Sequence, residues 1–184
     1  ERDSIWSRRR SIQACAADGF SGYRWRVRST GERGMTRVRL AGQGDAGTLT
    51  ELRCAFLEEM GQTLPDGFSD GLRDWIEAAL GGGRLHAWLA EREGRVIGSA
   101  AVNPYPHMPS ANYPTGMGWY LLNVYVKPAH RNDGVGSALL AAVGSAAREQ
   151  GVDALTLHAT AQARGLYERL GFKPSPDAMR LALA

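Results

Sequence analysis

Along the chain, apolar residues recur at every second position in some stretches and at every third or fourth in others, an order that predicts alternating strands and helices. Residues 36–41 alternate polar and apolar side chains and predict an opening strand. Leu49, Leu52, Phe56 and Met60 repeat at helical spacing, predicting a helix to about Met60 with Asp45 as its cap. Residues 61–68 read as a Pro/Gly turn. Ser69 then caps a second helix, with Leu72, Trp75, Ile76 and Ala79 on one face and Gly81, Gly82 and Gly83 at its end. Strands over 85–91 and 95–102, joined by the polar turn 92–94, predict a hairpin.

The second half continues the alternation. A loop over 103–117 is rich in Pro and aromatic residues and long for a compact domain, which makes it a substrate-contact candidate. Residues 119–126 are apolar on both faces, the pattern of a strand buried in mid-sheet, and Pro128 ends it. A helix over 134–150 buries Val135, Leu139, Ala142, Val143 and Ala146, and Gly151 closes it. A strand over 154–159, a short helix over 163–170 stopped by Gly171, and a last strand over 179–183 complete the chain.

Composition narrows the classes. A chain of 184 residues supports one sizeable core and is short for two. With 43% hydrophobic and 22% charged residues it reads as an ordinary globular protein. No apolar run reaches the roughly 18 residues that span a bilayer, and no secretory signal core opens the chain, so a cytoplasmic location is expected. Cys15 and Cys54 lack metal-ligand spacing and read as reduced thiols; no metal is expected.

The net charge of +3 is unevenly spread. Residues 1–34 hold eight Arg against four Asp and Glu, or +4, which leaves −1 for the remainder. A nearly neutral body is not the footprint of a dedicated nucleic-acid-binding fold. Tyr23, Trp25 and Val27 alternate with Arg24, Arg26 and Arg28, which is strand period or a set of rings able to stack on bases. An extended arm is the favoured reading, since no nucleic-acid motif accompanies it. Residues 1–34 are thus expected to be a basic extension and 35–184 the domain.

The chemistry concentrates over 120–150, where a strand feeds a helix through a basic turn carrying Gly134 and Gly136. Amides at such a helix start lack partners and sit at the positive end of the helix dipole, so the join suits an anion such as a phosphate. A dinucleotide loop is excluded because Leu139 stands where its third glycine belongs, and a nucleotide-triphosphate loop because no Lys follows either glycine. What remains is Arg131-x-x-Gly134-x-Gly136-x-Ala138, followed about thirty residues later by Leu166-Tyr167-Glu168-Arg169-Leu170-Gly171-Phe172. In these two motifs, at this separation, the chain resembles the GCN5-related N-acetyltransferase (GNAT) superfamily, over about residues 36–183.

The resemblance implies an α/β fold on a single mixed, mostly antiparallel central sheet of about six or seven strands, with about four helices packed on both faces. It implies acetyl-coenzyme A as co-substrate and an enzyme that transfers acetyl to a primary amine by direct attack on the thioester. Backbone groups of Val124, Tyr125 and Val126 would pair with the pantetheine arm. Amides of Arg131, Asn132, Asp133, Gly134, Val135, Gly136 and Ser137 would cradle the pyrophosphate. The Val124 amide would hold the developing oxyanion. Tyr167 would protonate the thiolate, which a phenol with a pKa of about 10 can do for a leaving group of about 8.5.

The chain departs from the family pattern twice. Thr160 stands where many members carry a cofactor-binding Asn, and Tyr120 where histone-type members carry the general-base Glu. His107, His158, Glu58 and Glu59 remain as base candidates. Phe68, Tyr105, His107, Tyr113, Tyr120 and Asp66 suggest a mixed aromatic and weakly acidic acceptor pocket, which suits a small-molecule amine. A protein amino group, or an aminoacyl-RNA held by the arginine arm, is the alternative acceptor, and a non-catalytic coenzyme A-binding module the alternative class. A homodimer is common in the family; membrane binding is not expected.

Overall fold

The computed structural model describes residues 24–27, the first four by backbone alone, together with 35–175 and 181. The predicted strand over 179–183 therefore lies outside the described residues, save for Leu181, as do residues 1–23 and 28–34. Six strands form one sheet in sequence order: β1 (Arg24–Val27), β2 (Thr36–Leu40), β3 (His86–Arg92), β4 (Arg95–Pro106), β5 (Met117–Val126) and β6 (Ala154–Thr156). Neighbours are antiparallel except β5 and β6, which run parallel. A parallel pair needs a crossover, and α3 (Val135–Glu149) supplies it.

The sheet is covered on both faces, in agreement with the α/β expectation. On one face Trp88, Ala100, Val102, Trp119 and Leu121 pack against Val135, Leu139, Leu140 and Val143 of α3 and against Tyr167 of α4 (Arg164–Arg169). On the other, Ala87, Leu89, Ala101 and Tyr125 pack against Leu49 and Leu52 of α1 (Ala46–Glu59) and Ile76 and Ala79 of α2 (Phe68–Gly81). Trp88 and Trp119 are wholly enclosed and tilt against each other at 6.0 Å. Aromatic burial of that size anchors the α3 face.

Several predicted boundaries move, each for a physical reason. Asp45 precedes α1 but makes no side-chain cap, because its carboxylate is taken by the Arg39 guanidinium at 2.8 Å and by the Gly42 amide at 2.9 Å. Those partners hold its pKa below the ordinary carboxylate value, with the Arg39 hydrogen bonds the largest cause. The second helix starts at Phe68 from the left-handed Gly67, so Ser69 lies inside it and is not the cap. Glu93 and Gly94, both at positive φ, form a two-residue hairpin turn, shorter than the predicted turn 92–94 by one residue.

The loop predicted over 103–117 begins four residues late, since β4 runs on to Pro106. Prolines tolerate that position because pairing of β3 with β4 ends at Val102, and beyond it one edge of β4 is open. The strand predicted over 154–159 is only Ala154–Thr156. Past Thr156 the chain leaves β5, and that separation positions the site.

Candidate active site

Strand β5 is irregular where it matters. The register with β4 shifts between Ser99 and Ala101, and Asn123 opposite the shift adopts φ +50°. A bulge of this kind turns the strand and frees backbone groups from the ladder. Pairing with β6 stops at Tyr120 and Thr156, so from there the two segments diverge around a wedge.

That wedge opens into a cleft of about 680 Å³. One wall is the edge of β5, Val124, Tyr125 and Val126; the floor is Arg131, Asn132, Gly134, Gly136 and Ser137; the other wall is Thr160, Gln162, Ala163, Leu166 and Tyr167. Of the residues singled out for the co-substrate, Asp133 and Val135 do not line the cleft. Val135 is buried in the α3 core, and the Asp133 carboxylate ion-pairs with Arg92 at the end of β3. The Arg92 side chain is only 6% exposed and also donates to Thr36 Oγ1 at 2.8 Å.

The floor is an anion cradle by construction. Asn132 and Gly134 both take left-handed backbone, at φ +59° and +76°, on either side of Asp133. Gly134 then starts α3, so the amides of Val135, Gly136 and Ser137 have no partner within the helix. A β-carbon on Gly136 would stand 3.2 Å from Leu166 Cδ2, between cradle and wall. Narrow backbone access with unpaired donors fits a pyrophosphate.

Arg131 borders the same space but its guanidinium is engaged. It donates to the Val126 carbonyl at 2.9 Å and to Glu59 at the end of α1 at 2.6 Å, and lies 5.6 Å from the Tyr125 ring centre. The hydrogen bond to Arg131 lowers the Glu59 pKa and raises that of Arg131. Burial, followed by the nearby Glu59 charge, pushes the Tyr125 phenol up.

Tyr167 is 9% exposed, with its ring edge-on to Phe172 at 5.5 Å. Its hydroxyl has no hydrogen-bond partner among the described residues, and burial raises its pKa, which favours the protonated phenol. Tyr167 lines the cleft, and a phenol kept protonated is chemically able to donate a proton. Thr160 also lines the cleft, its hydroxyl near the Ala163 amide at 3.3 Å.

The acceptor candidates divide. Tyr105 reaches across β5 to Thr156 Oγ1 at 3.4 Å, His107 lies 3.8 Å from Asp153, and Tyr120 bonds His158 Nδ1 at 2.6 Å. These gather at the upstream end of β5, with Tyr113 against the His107 ring. Phe68 opens α2, and neither it nor Asp66 lines the cleft. Phe56 and Met60, read from the sequence only as part of the helical repeat, line the cleft; Phe56 also packs against the core, and Met60 is 52% exposed. Gln162 and Arg169 also line it and carry no signal in the sequence beyond their nearness to Tyr167.

Comparison with known proteins bears on the family and the fold. The chain resembles a crystal structure, with acetyl-CoA, of a predicted acetyltransferase from Clostridium acetobutylicum: TM-score 0.73, 24% identity, covering 80% of this chain and 96% of that one. It resembles a GCN5-related N-acetyltransferase from Ralstonia eutropha with TM-score 0.69 and 26% identity over 80% and 98% of the two chains. Over 90 residues, 49% of this chain and 59% of the relative, it is 30% identical to the glucosamine 6-phosphate N-acetyltransferase of Trypanosoma brucei brucei. The model of the Acetyltransferase (GNAT) family matches residues 49–172, the span from the first turns of α1 to the residue after Gly171. The chain belongs to the GNAT family and is an N-acetyltransferase.

Proposed function

We propose that this N-acetyltransferase takes acetyl from acetyl-coenzyme A and transfers it to the primary amine of a small molecule by direct attack on the thioester. The observation that carries the reading is the convergence of three features on one cleft: a β5 edge freed by the bulge, an anion cradle at the start of α3, and the unengaged Tyr167 hydroxyl. The β5 edge hydrogen-bonds the pantetheine arm, and the amides of Asn132, Gly134, Gly136 and Ser137, which line the cleft, hold the pyrophosphate. The Val124 amide holds the oxygen on which negative charge develops. Tyr167 donates its proton to the departing thiolate.

A small acceptor is supported by the relative named for glucosamine 6-phosphate and by the aromatic and hydroxyl side chains at the upstream end of β5. The test is a screen of small amines, peptides and aminoacyl-RNA for release of coenzyme A. Turnover with small amines is expected. Release driven only by peptides or by RNA moves the acceptor to the alternative classes. Coenzyme A binding without turnover of anything would make the protein a binding module.

A further inference from the structure

The reaction needs a group that takes a proton from the ammonium form of the acceptor. We infer that Tyr120 and His158 together are that base, an assignment that rests on the acetyl transfer proposed above.

Their position follows from the wedge. Tyr120 is the last β5 residue paired with β6, and His158 lies two residues beyond its partner Thr156. Their hydrogen bond, 2.6 Å from Oη to Nδ1, therefore joins the two segments where their pairing ends; neither residue lines the cleft itself, whose walls carry Val124 and Thr160 further along the same two segments. The rings lean together at 5.8 Å between centres.

Facing matters as much as position. Trp119 and Leu121 point into the core that contains α3 and Tyr167, whereas Leu122 packs on the α1 and α2 side. By strand alternation Tyr120 lies on the face opposite Tyr167. An acid for the leaving thiolate and a base for the attacking amine belong on opposite sides of the carbonyl, and here the sheet separates them.

The neighbouring titratable groups are otherwise occupied. Tyr105 faces Thr156; His107 faces Asp153, whose carboxylate accepts from the amides of Thr115 and Gly116; Glu59 is bonded to Arg131. Glu58 is exposed on α1. An imidazole is the side chain that exchanges a proton near neutral pH.

The step balances. The ammonium N–H bond breaks as Tyr120 Oη accepts its proton and passes its own to His158 Nδ1. The amine lone pair freed in this way attacks the carbonyl, and the exposed imidazolium releases a proton to solvent from Nε2.

The experiment compares H158Q and Y120F with the wild type, using the amines that turn over in the screen, ordered by basicity, and coenzyme A alone as the binding probe. Both side chains lie outside the fully buried core, and coenzyme A binding is expected to be unchanged. For strongly basic amines kcat/KM should fall about 100-fold, the lower range for loss of a general base. The deficit should shrink at alkaline pH and for weakly basic amines that are already neutral. A wild-type rate in H158Q, or a deficit that is the same at every pH and for every amine, overturns the assignment. A wild type that releases no coenzyme A with any amine sinks the acetyl-transfer reading itself, and this base with it.

Discussion

The two ends of β5 use different materials. Downstream, from Val124 to Ser137, the site is made of backbone: a bulged strand edge, left-handed residues at 132 and 134, and helix-start amides. Upstream, around Tyr120, it is made of side chains that meet from segments far apart in sequence, Tyr105 with Thr156 and Tyr120 with His158. Backbone donors suit a ligand whose phosphates and amide-bearing arm are the same in every turnover. Side chains can be exchanged without refolding the strand, which suits the ligand that varies.

The largest effect is expected where the backbone end depends on a buried charge. Arg92→Met would remove the Arg92 guanidinium from beside the Asp133 carboxylate, which is 14% exposed, and the loss should stay below the about 3–5 kcal/mol typical of breaking a fully buried pair. Chemical denaturation should show that loss, and Arg92→Met/Asp133→Asn should recover part of it by removing the carboxylate's charge. A single variant as stable as the wild type would mean that the cradle is not held in place by this pair.

Next is Tyr167→Phe, which removes the hydroxyl and keeps the ring against Phe172. We expect kcat to fall about 100-fold to 1,000-fold with coenzyme A affinity unchanged. Because burial raises the Tyr167 pKa, the protonated donor persists to a pH above the ordinary phenol value of about 10. Its loss should therefore appear only as a strongly alkaline limb in the wild-type rate profile. An unaltered kcat in the variant would leave the downstream end as a binding surface only.

The contrast between the ends also explains what the sequence could tell. Gly134, Gly136 and Tyr167 are legible because each answers a local demand: a left-handed turn, close access to the helix start, a ring in a short helix. The overall order of strands and helices is legible from periodicity for the same reason. Arg92 with Asp133, 41 residues apart, and Tyr120 with His158, 38 apart, leave no local trace. Pro104 and Pro106 suggested a loop where an open strand edge admits them, and the helical spacing of Phe56 and Met60 could not show that they border the cleft. The Asp45 cap was misleading because Arg39, on a neighbouring strand, binds the carboxylate instead.

A third test separates backbone geometry from charge within the downstream end. Gly136→Val places branched carbon between the cradle and Leu166, where even a β-carbon stands at 3.2 Å. Gly134→Ala meets open space but must hold φ +76°, a strain of about 1–2 kcal/mol. Both should raise the KM for acetyl-coenzyme A by about tenfold, the equivalent of 1.4 kcal/mol, with a smaller change in kcat. If kcat alone changed, the cradle would be serving the reaction and not the binding.

The smallest effect belongs to Glu59→Gln. Arg131 borders the cradle, yet its guanidinium is shared among Glu59, the Val126 carbonyl and the Tyr125 ring. Glu59 also lines the cleft, so its carboxylate both restrains the cation and opposes an incoming phosphate. Removing its charge while keeping its hydrogen-bonding amide should lower the KM for acetyl-coenzyme A, though by less than about threefold, because exposed ion pairs are weak and screened. The shift should be largest at low ionic strength and vanish in high salt. A rise in KM instead would mean that Glu59 holds Arg131 in its binding position, so that side-chain pairing matters at the downstream end as it does upstream.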